Sequence, residues 1–112
     1  MKIVLVFPPF YLQPLYNLPP LGLLNLATIL REAGNEVSVL DLVLAIRTKD
    51  LSLGDSIYKD SVRLILDREP DLVGFSAQCA TTPAVIRIAE LLKRNRPETR
   101  IIAGGHDVLA GP

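Results

Sequence analysis

Three short stretches hold most of the residues that could do chemistry. Pro8-Pro9-Phe10-Tyr11 opens a proline-rich segment that runs on to Pro19-Pro20-Leu21-Gly22. Ser76 heads the run Ala77-Gln78-Cys79-Ala80-Thr81-Thr82, and Gly104-Gly105 precede His106-Asp107. The Ser76 hydroxyl can donate and accept hydrogen bonds, to a ligand or to a neighbouring backbone group. The paired glycines let a ligand approach the backbone, or let the chain turn tightly after a strand. Phe10, Tyr11 and Tyr16 can form an apolar platform for a flat ligand or a packed lid. Cys79 would be a nucleophile only if a base made its thiolate, and the chain's single imidazole is His106, so it reads as a small residue near the site. One His beside one Asp reads as an exposed turn, and His106 and Asp107 are given no catalytic role.

Familiar phosphate sites do not fit these stretches. A dinucleotide-binding turn needs glycines directly after the first strand, where this chain has Pro8-Pro9. No Gly-Lys-Ser/Thr run is present for a nucleoside triphosphate, and an FMN loop would want Ser, Thr or Gly where prolines and aromatics stand. A phosphorelay receiver needs an acidic pair after strand one and an Asp ending strand three. Phe7-Pro8 and Ser76 occupy those places.

The elements that must carry these loops are legible as alternating apolar patterns. Four β-rich runs, Lys2–Phe7, Glu36–Asp41, Asp71–Ser76 and Arg100–Gly104, are separated by helical spacing. Leu23, Leu26, Ala27 and Leu30 form the inward stripe of a helix over Pro20–Ala33 that stops at Gly34. Tyr58, Val62, Ile65 and Leu66 share a stripe on a second helix, closed by Pro70. A third starts with Thr82 as N-cap and Pro83 at its first position, buries Val85, Ile88, Ala89 and Leu92, pairs Glu90 with Arg94 on its surface, and ends near Asn95–Pro97. Residues 8–19 and 42–55 read as irregular. Pro19-Pro20 reads first as a helix start.

This order predicts a flavodoxin-like (Rossmann-like), doubly wound parallel α/β sheet with strand order 2-1-3-4 and helices on both faces. Ligands of such sheets bind beyond the carboxyl ends of the strands where the order reverses, here between strands one and three. A fifth strand and a closing helix are expected to follow, so residues 1–112 read as one domain cut from a longer protein.

Composition narrows the partners. Twelve basic and twelve acidic residues cancel, with no Lys/Arg block, which argues against nucleic acid. A single cysteine excludes an internal disulfide or an iron–sulfur cluster built from this chain alone, and fits a cytoplasmic setting. The amino-terminal apolar run is too short to span a bilayer and reads as a buried strand, so no membrane is expected. Oligomeric state is open.

Phe7-Pro8-Pro9, then Pro19-Pro20-Leu21-Gly22-Leu23 opening a helix that ends Leu30-Arg31-Glu32-Ala33-Gly34, then Val37-Ser38-Val39-Leu40-Asp41, resembles the N-terminal cobalamin-binding domain of radical S-adenosylmethionine enzymes. Asp71-Leu72-Val73-Gly74-Phe75-Ser76 is similar to that family's third strand, and Ile101-Ile102-Ala103-Gly104-Gly105-His106 to its fourth strand and Gly-Gly loop. The resemblance implies that the corrin lies across the carboxyl edge of the sheet and that its nucleotide tail enters a groove beside Ser76, Gly104 and Gly105. Ala77 and Gln78 stand where the family has the rest of a Ser-x-Leu motif, and His106 follows the Gly-Gly pair. The Asp-x-His-x-x-Gly loop of the methionine-synthase branch is absent, so the resemblance implies that the cofactor's lower face meets Pro8, Pro9, Phe10, Tyr11 or water. The cysteine motif for a [4Fe–4S] cluster is absent as well. The cluster and S-adenosylmethionine are expected only in a downstream domain, and this chain by itself is expected to hold cobalamin without catalysing a reaction. Two alternatives are a cofactor-free α/β interaction or regulatory domain, and half of a sugar-nucleotide transferase.

Overall fold

The computed structural model describes residues 1–7, 21–49, 51, 54, 56–76 and 82–104. In chain order these form β1 (Lys2–Phe7), α1 (Leu21–Glu32), β2 (Glu36–Asp41), α2 (Leu42–Arg47), α3 (Ile57–Leu66), β3 (Leu72–Ser76), α4 (Thr82–Asn95) and β4 (Arg100–Gly104). The strands make one parallel sheet in the order β2-β1-β3-β4, as the sequence pattern predicts. Ile3, Val4, Leu5 and Val6 of β1 are all buried, because both faces of this inner strand are covered.

Strand alternation splits the core in two. Val4, Val6, Leu40, Val73 and Phe75 pack with Leu42 of α2, Val62 and Ile65 of α3, and Val85, Ile88 and Leu92 of α4. On the other face Ile3 and Leu5 meet Ala27 of α1, with Leu30, Val37, Val39 and Leu72 around them. Asp71 levels the strand starts: its N–H donates to the Lys2 carbonyl (2.8 Å), its Oδ2 accepts the Lys2 N–H (2.8 Å), and its carbonyl accepts the Arg100 N–H (3.1 Å).

Gly34 ends α1 as expected, in the left-handed region at φ 97°. Its N–H donates to the Arg31 carbonyl (2.9 Å) and the Asn35 N–H to that of Leu30 (3.2 Å), the paired bonds of a glycine-terminated helix. Arg31 then ties this end to β2, donating through Nε and Nη2 to the Val37 carbonyl at 3.2 and 2.9 Å.

Several expectations are corrected. The stretch after β2 is not wholly irregular: α2 starts directly from Asp41, whose Oδ1 accepts the Leu44 N–H at 3.0 Å in an extended N-cap conformation. Leu26, expected on the buried stripe of α1, is 40% exposed, while Ala27 is fully buried. The reason is geometric. Among the described residues α1 packs mainly on β1 and β2, through Ala27 and Leu30. Thr82, expected as the N-cap, is the first residue of α4, and the pair on the helix surface joins Glu90 to Arg87 (3.4 Å), one turn back, in place of Arg94. Among the described residues, no helix is long and apolar enough to cross a membrane.

Candidate cofactor site

Register brings the strand ends level at the carboxyl edge. Phe7 of β1 faces Asp41 of β2, and Ser76 of β3 faces Gly104 of β4. Alternation from Ile3, Leu5, Val37, Val39 and Leu72 turns all four of these end residues toward the α1 side of the sheet. Of the residues expected to line the site, the structure thus brings Ser76 and Gly104 side by side. Pro8, Pro9, Phe10, Tyr11, Ala77, Gln78, Gly105 and His106 lie outside the described residues, as do Cys79 and Asp107.

The two faces differ sharply above β3 and β4. On the α4 side Val73 and Phe75 are sealed under Val85, Ile88 and Leu92, a filled core without room for a ligand. On the α1 side these two strands are more open: Ile102 is 55% exposed, Ser76 is half-buried and Gly104 is exposed. A Cβ placed on Gly104 would meet nothing within 4 Å.

Gly74, two residues before Ser76 on the same face, was not among the residues picked out by sequence. A Cβ there would stand 2.9 Å from Leu5 Cδ2 and 3.7 and 3.9 Å from Ile102 Cγ1 and Cδ1. The missing side chain lets Leu5 and Ile102 close over the strand below the Ser76–Gly104 pair, where Leu5 and Gly74 are themselves buried. The available signal was a glycine in the middle of a buried strand, which often marks a close approach of other atoms to the backbone.

Charge is sparse at this edge. Among the described strand ends only Asp41 is ionisable, and one of its oxygens is engaged as the α2 cap. No three His, Cys, Asp or Glu side chains gather as a metal-binding group among the described residues. Charge collects at the opposite edge, where Met1, Lys2, Gly34, Glu36, Glu69, Asp71 and Arg96 line an open cavity of about 540 Å³. Several of its groups are engaged: Lys2 pairs with Glu69 (3.5 Å), Arg96 with Glu98 (3.3 Å), and Asp71 holds the β1 backbone. The carboxyl edge, where Ser76 and Gly104 stand side by side above the exposed Ile102, is where ligands of open α/β sheets bind.

Comparison with known proteins agrees with this geometry. The chain is 32% identical over 109 residues to the hopanoid C-3 methylase of Methylococcus capsulatus, a match covering 95% of this chain and 19% of that protein. It is 30% identical over 103 residues to the anaerobic magnesium-protoporphyrin IX monomethyl ester cyclase of Synechocystis, covering 86% of this chain and again 19% of the relative. The chain therefore spans about a fifth of the length of these curated relatives. No solved structure matches. The family model of the B12 binding domain matches residues 12–111, nearly the whole chain, and with the parallel 2-1-3-4 sheet it makes this protein a member of the B12-binding domain family.

Proposed function

We propose that the chain binds cobalamin across the carboxyl edge of the sheet and seats the nucleotide tail on the α1 side of β3 and β4. The observation that carries this reading is the asymmetry between the faces. The α4 side of β3 is sealed core, whereas the α1 side offers the exposed Ile102 side chain, the Ser76 hydroxyl and the uncrowded Gly104 backbone. Ser76 supplies a polar contact for the tail, and Gly104 with Gly105 admits it close to the backbone. Pro8, Pro9, Phe10 and Tyr11 after β1, and Ala77 and Gln78 after β3, complete the rim, with His106 beside the glycine pair. Bound cobalamin supplies reversible cobalt–carbon chemistry; the residues of this chain hold and orient it.

The parent protein is, on this reading, a cobalamin-dependent radical S-adenosylmethionine enzyme. Its [4Fe–4S] cluster and S-adenosylmethionine belong to a domain downstream of this one, in a cytoplasmic protein. A methylase and a cyclase among the relatives support an enzyme that modifies the carbon skeleton of its substrate. Titrating the full chain with hydroxocobalamin tests the first step: a saturable change in corrin absorbance is expected. No binding at high micromolar cobalamin leaves a cofactor-free interaction domain as the reading.

A further inference from the structure

We infer that Arg31 guards the outer edge of the sheet: its guanidinium occupies the backbone carbonyl through which β2 would pair with β2 of a second copy of this chain. The inference is independent of the cofactor reading. Among the described residues β2 ends the strand order, and it is wetter than its inner neighbour: Glu36 is exposed and Val37, Ser38 and Val39 are half-buried, where Ile3, Val4, Leu5 and Val6 of β1 are buried. The Glu36 N–H donates inward, to the Met1 carbonyl at 3.1 Å. Backbone groups of successive strand residues face opposite sides, so those of Ser38 and Leu40 also face β1, and those of Val37, Val39 and Asp41 face outward. Such an edge is a template for another chain, and proteins blunt it with charged side chains.

Two of the outward carbonyls are already taken. That of Asp41, the N-cap residue, opens the hydrogen-bond ladder of α2. That of Val37 accepts both Nε (3.2 Å) and Nη2 (2.9 Å) of Arg31, which reaches over from the last turn of α1. Two antiparallel registers would centre β2 on its own copy, and both need the Val37 carbonyl. With Val39 opposite itself, Val37 pairs with Asp41, whose carbonyl is lost to the helix. With Ser38 opposite itself, Val37 and Val39 of each copy exchange hydrogen bonds with Val39 and Val37 of the other, and Glu36 faces Leu40 with no like charges opposed. That second register is the one this edge could form, and Arg31 withholds two of its four hydrogen bonds, those accepted by the two Val37 carbonyls. Freeing them would give up charge-assisted bonds within each copy.

The test traps this register. Ser38→Cys together with Cys79→Ser leaves the full chain one thiol, at the position opposite its own copy. Antiparallel partners of that non-hydrogen-bonded kind stand about 4.5 Å apart at Cα, within disulfide reach. Arg31→Met keeps the aliphatic stem and the helix propensity at an exposed position and withdraws both donors. Under copper–phenanthroline oxidation the chain with Arg31 is expected to stay free of the cross-link, and the methionine chain to form a disulfide-linked dimer. Without the added cysteine, sedimentation equilibrium should show the methionine chain associating about tenfold more tightly than wild type. A folded Arg31→Met chain that neither cross-links nor associates more tightly overturns the inference. Equal cross-linking with Arg31 in place overturns it too, as does tighter association without a cross-link at position 38, since another surface would then be pairing. Should the methionine chain not fold by circular dichroism, Arg31→Gln, whose shorter side chain draws its donors back from Val37, carries the same comparison with the same outcomes.

Discussion

At the scale of single residues, most polar groups in the described core are accounted for, and one exception makes a prediction. Buried Ser61 donates its hydroxyl to the Ile57 carbonyl (2.7 Å), one turn back in α3. Thr99, 1% exposed just before β4, has its N–H bonded to the Arg96 carbonyl (3.1 Å) and its carbonyl bonded to Lys93 Nζ, but its Oγ1 has no partner. A buried hydroxyl without a bond carries its desolvation cost uncompensated. Thr99→Val replaces it with a methyl of nearly the same shape, so stability should rise by about 1 kcal/mol, read as a higher urea midpoint at unchanged slope. A loss of that size would instead reveal a bonded water or a strained repacking. Nothing in the sequence marks this residue: Thr99 stands in a polar run between Pro97 and Arg100, and its burial belongs to the packed turn that leads from α4 into β4.

At the scale of elements, what could be read in advance divides by mechanism. β1 and β3 were legible because inner strands of a parallel sheet carry near-continuous apolar runs, and α3 because its stripe is regular and Pro70 lies just beyond its end. α2 was not. Its six residues, Leu42–Arg47, are too few to display a period, and Asp41 looked like the polar end of a strand when it also caps the helix that follows without any turn. Leu26 misled for a related reason: α1 is apolar on more than one side, and spacing alone does not say which side meets the sheet. Of the expected site, the register shows Ser76 and Gly104 side by side, as the strand motifs suggested. Gly74 escaped because its role depends on two side chains from neighbouring strands. The capping role is testable: Asp41→Ala removes the acceptor for the Leu44 N–H and should cost about 1 kcal/mol of stability in denaturant unfolding. A cost near zero would mean that burial of Leu42 and Ala45 holds α2 without its cap.

At the scale of the whole molecule, the sheet is covered unevenly, and this links stability to the ligand. β1 is packed from both sides, whereas β4 at the sheet edge leaves Ile102, Ala103 and Gly104 exposed. A cofactor seated on the α1 side would cover this least protected strand and bind the folded state alone, so by mass action it must raise the unfolding temperature. At a free cobalamin concentration about 100-fold above the dissociation constant, the added stability is about 2.7 kcal/mol. For a chain of 112 residues that corresponds to a rise of roughly 10 °C. The rise should continue with the logarithm of cobalamin concentration after the corrin absorbance has saturated, which separates linkage from nonspecific effects of the dye. Hydrogen exchange then locates the effect: amides of β4 should gain the most protection, because local opening at an exposed edge is what the ligand suppresses. A temperature rise accompanied by protection confined to α3 and α4 would place the ligand on the wrong face and overturn the assignment of the groove to the α1 side.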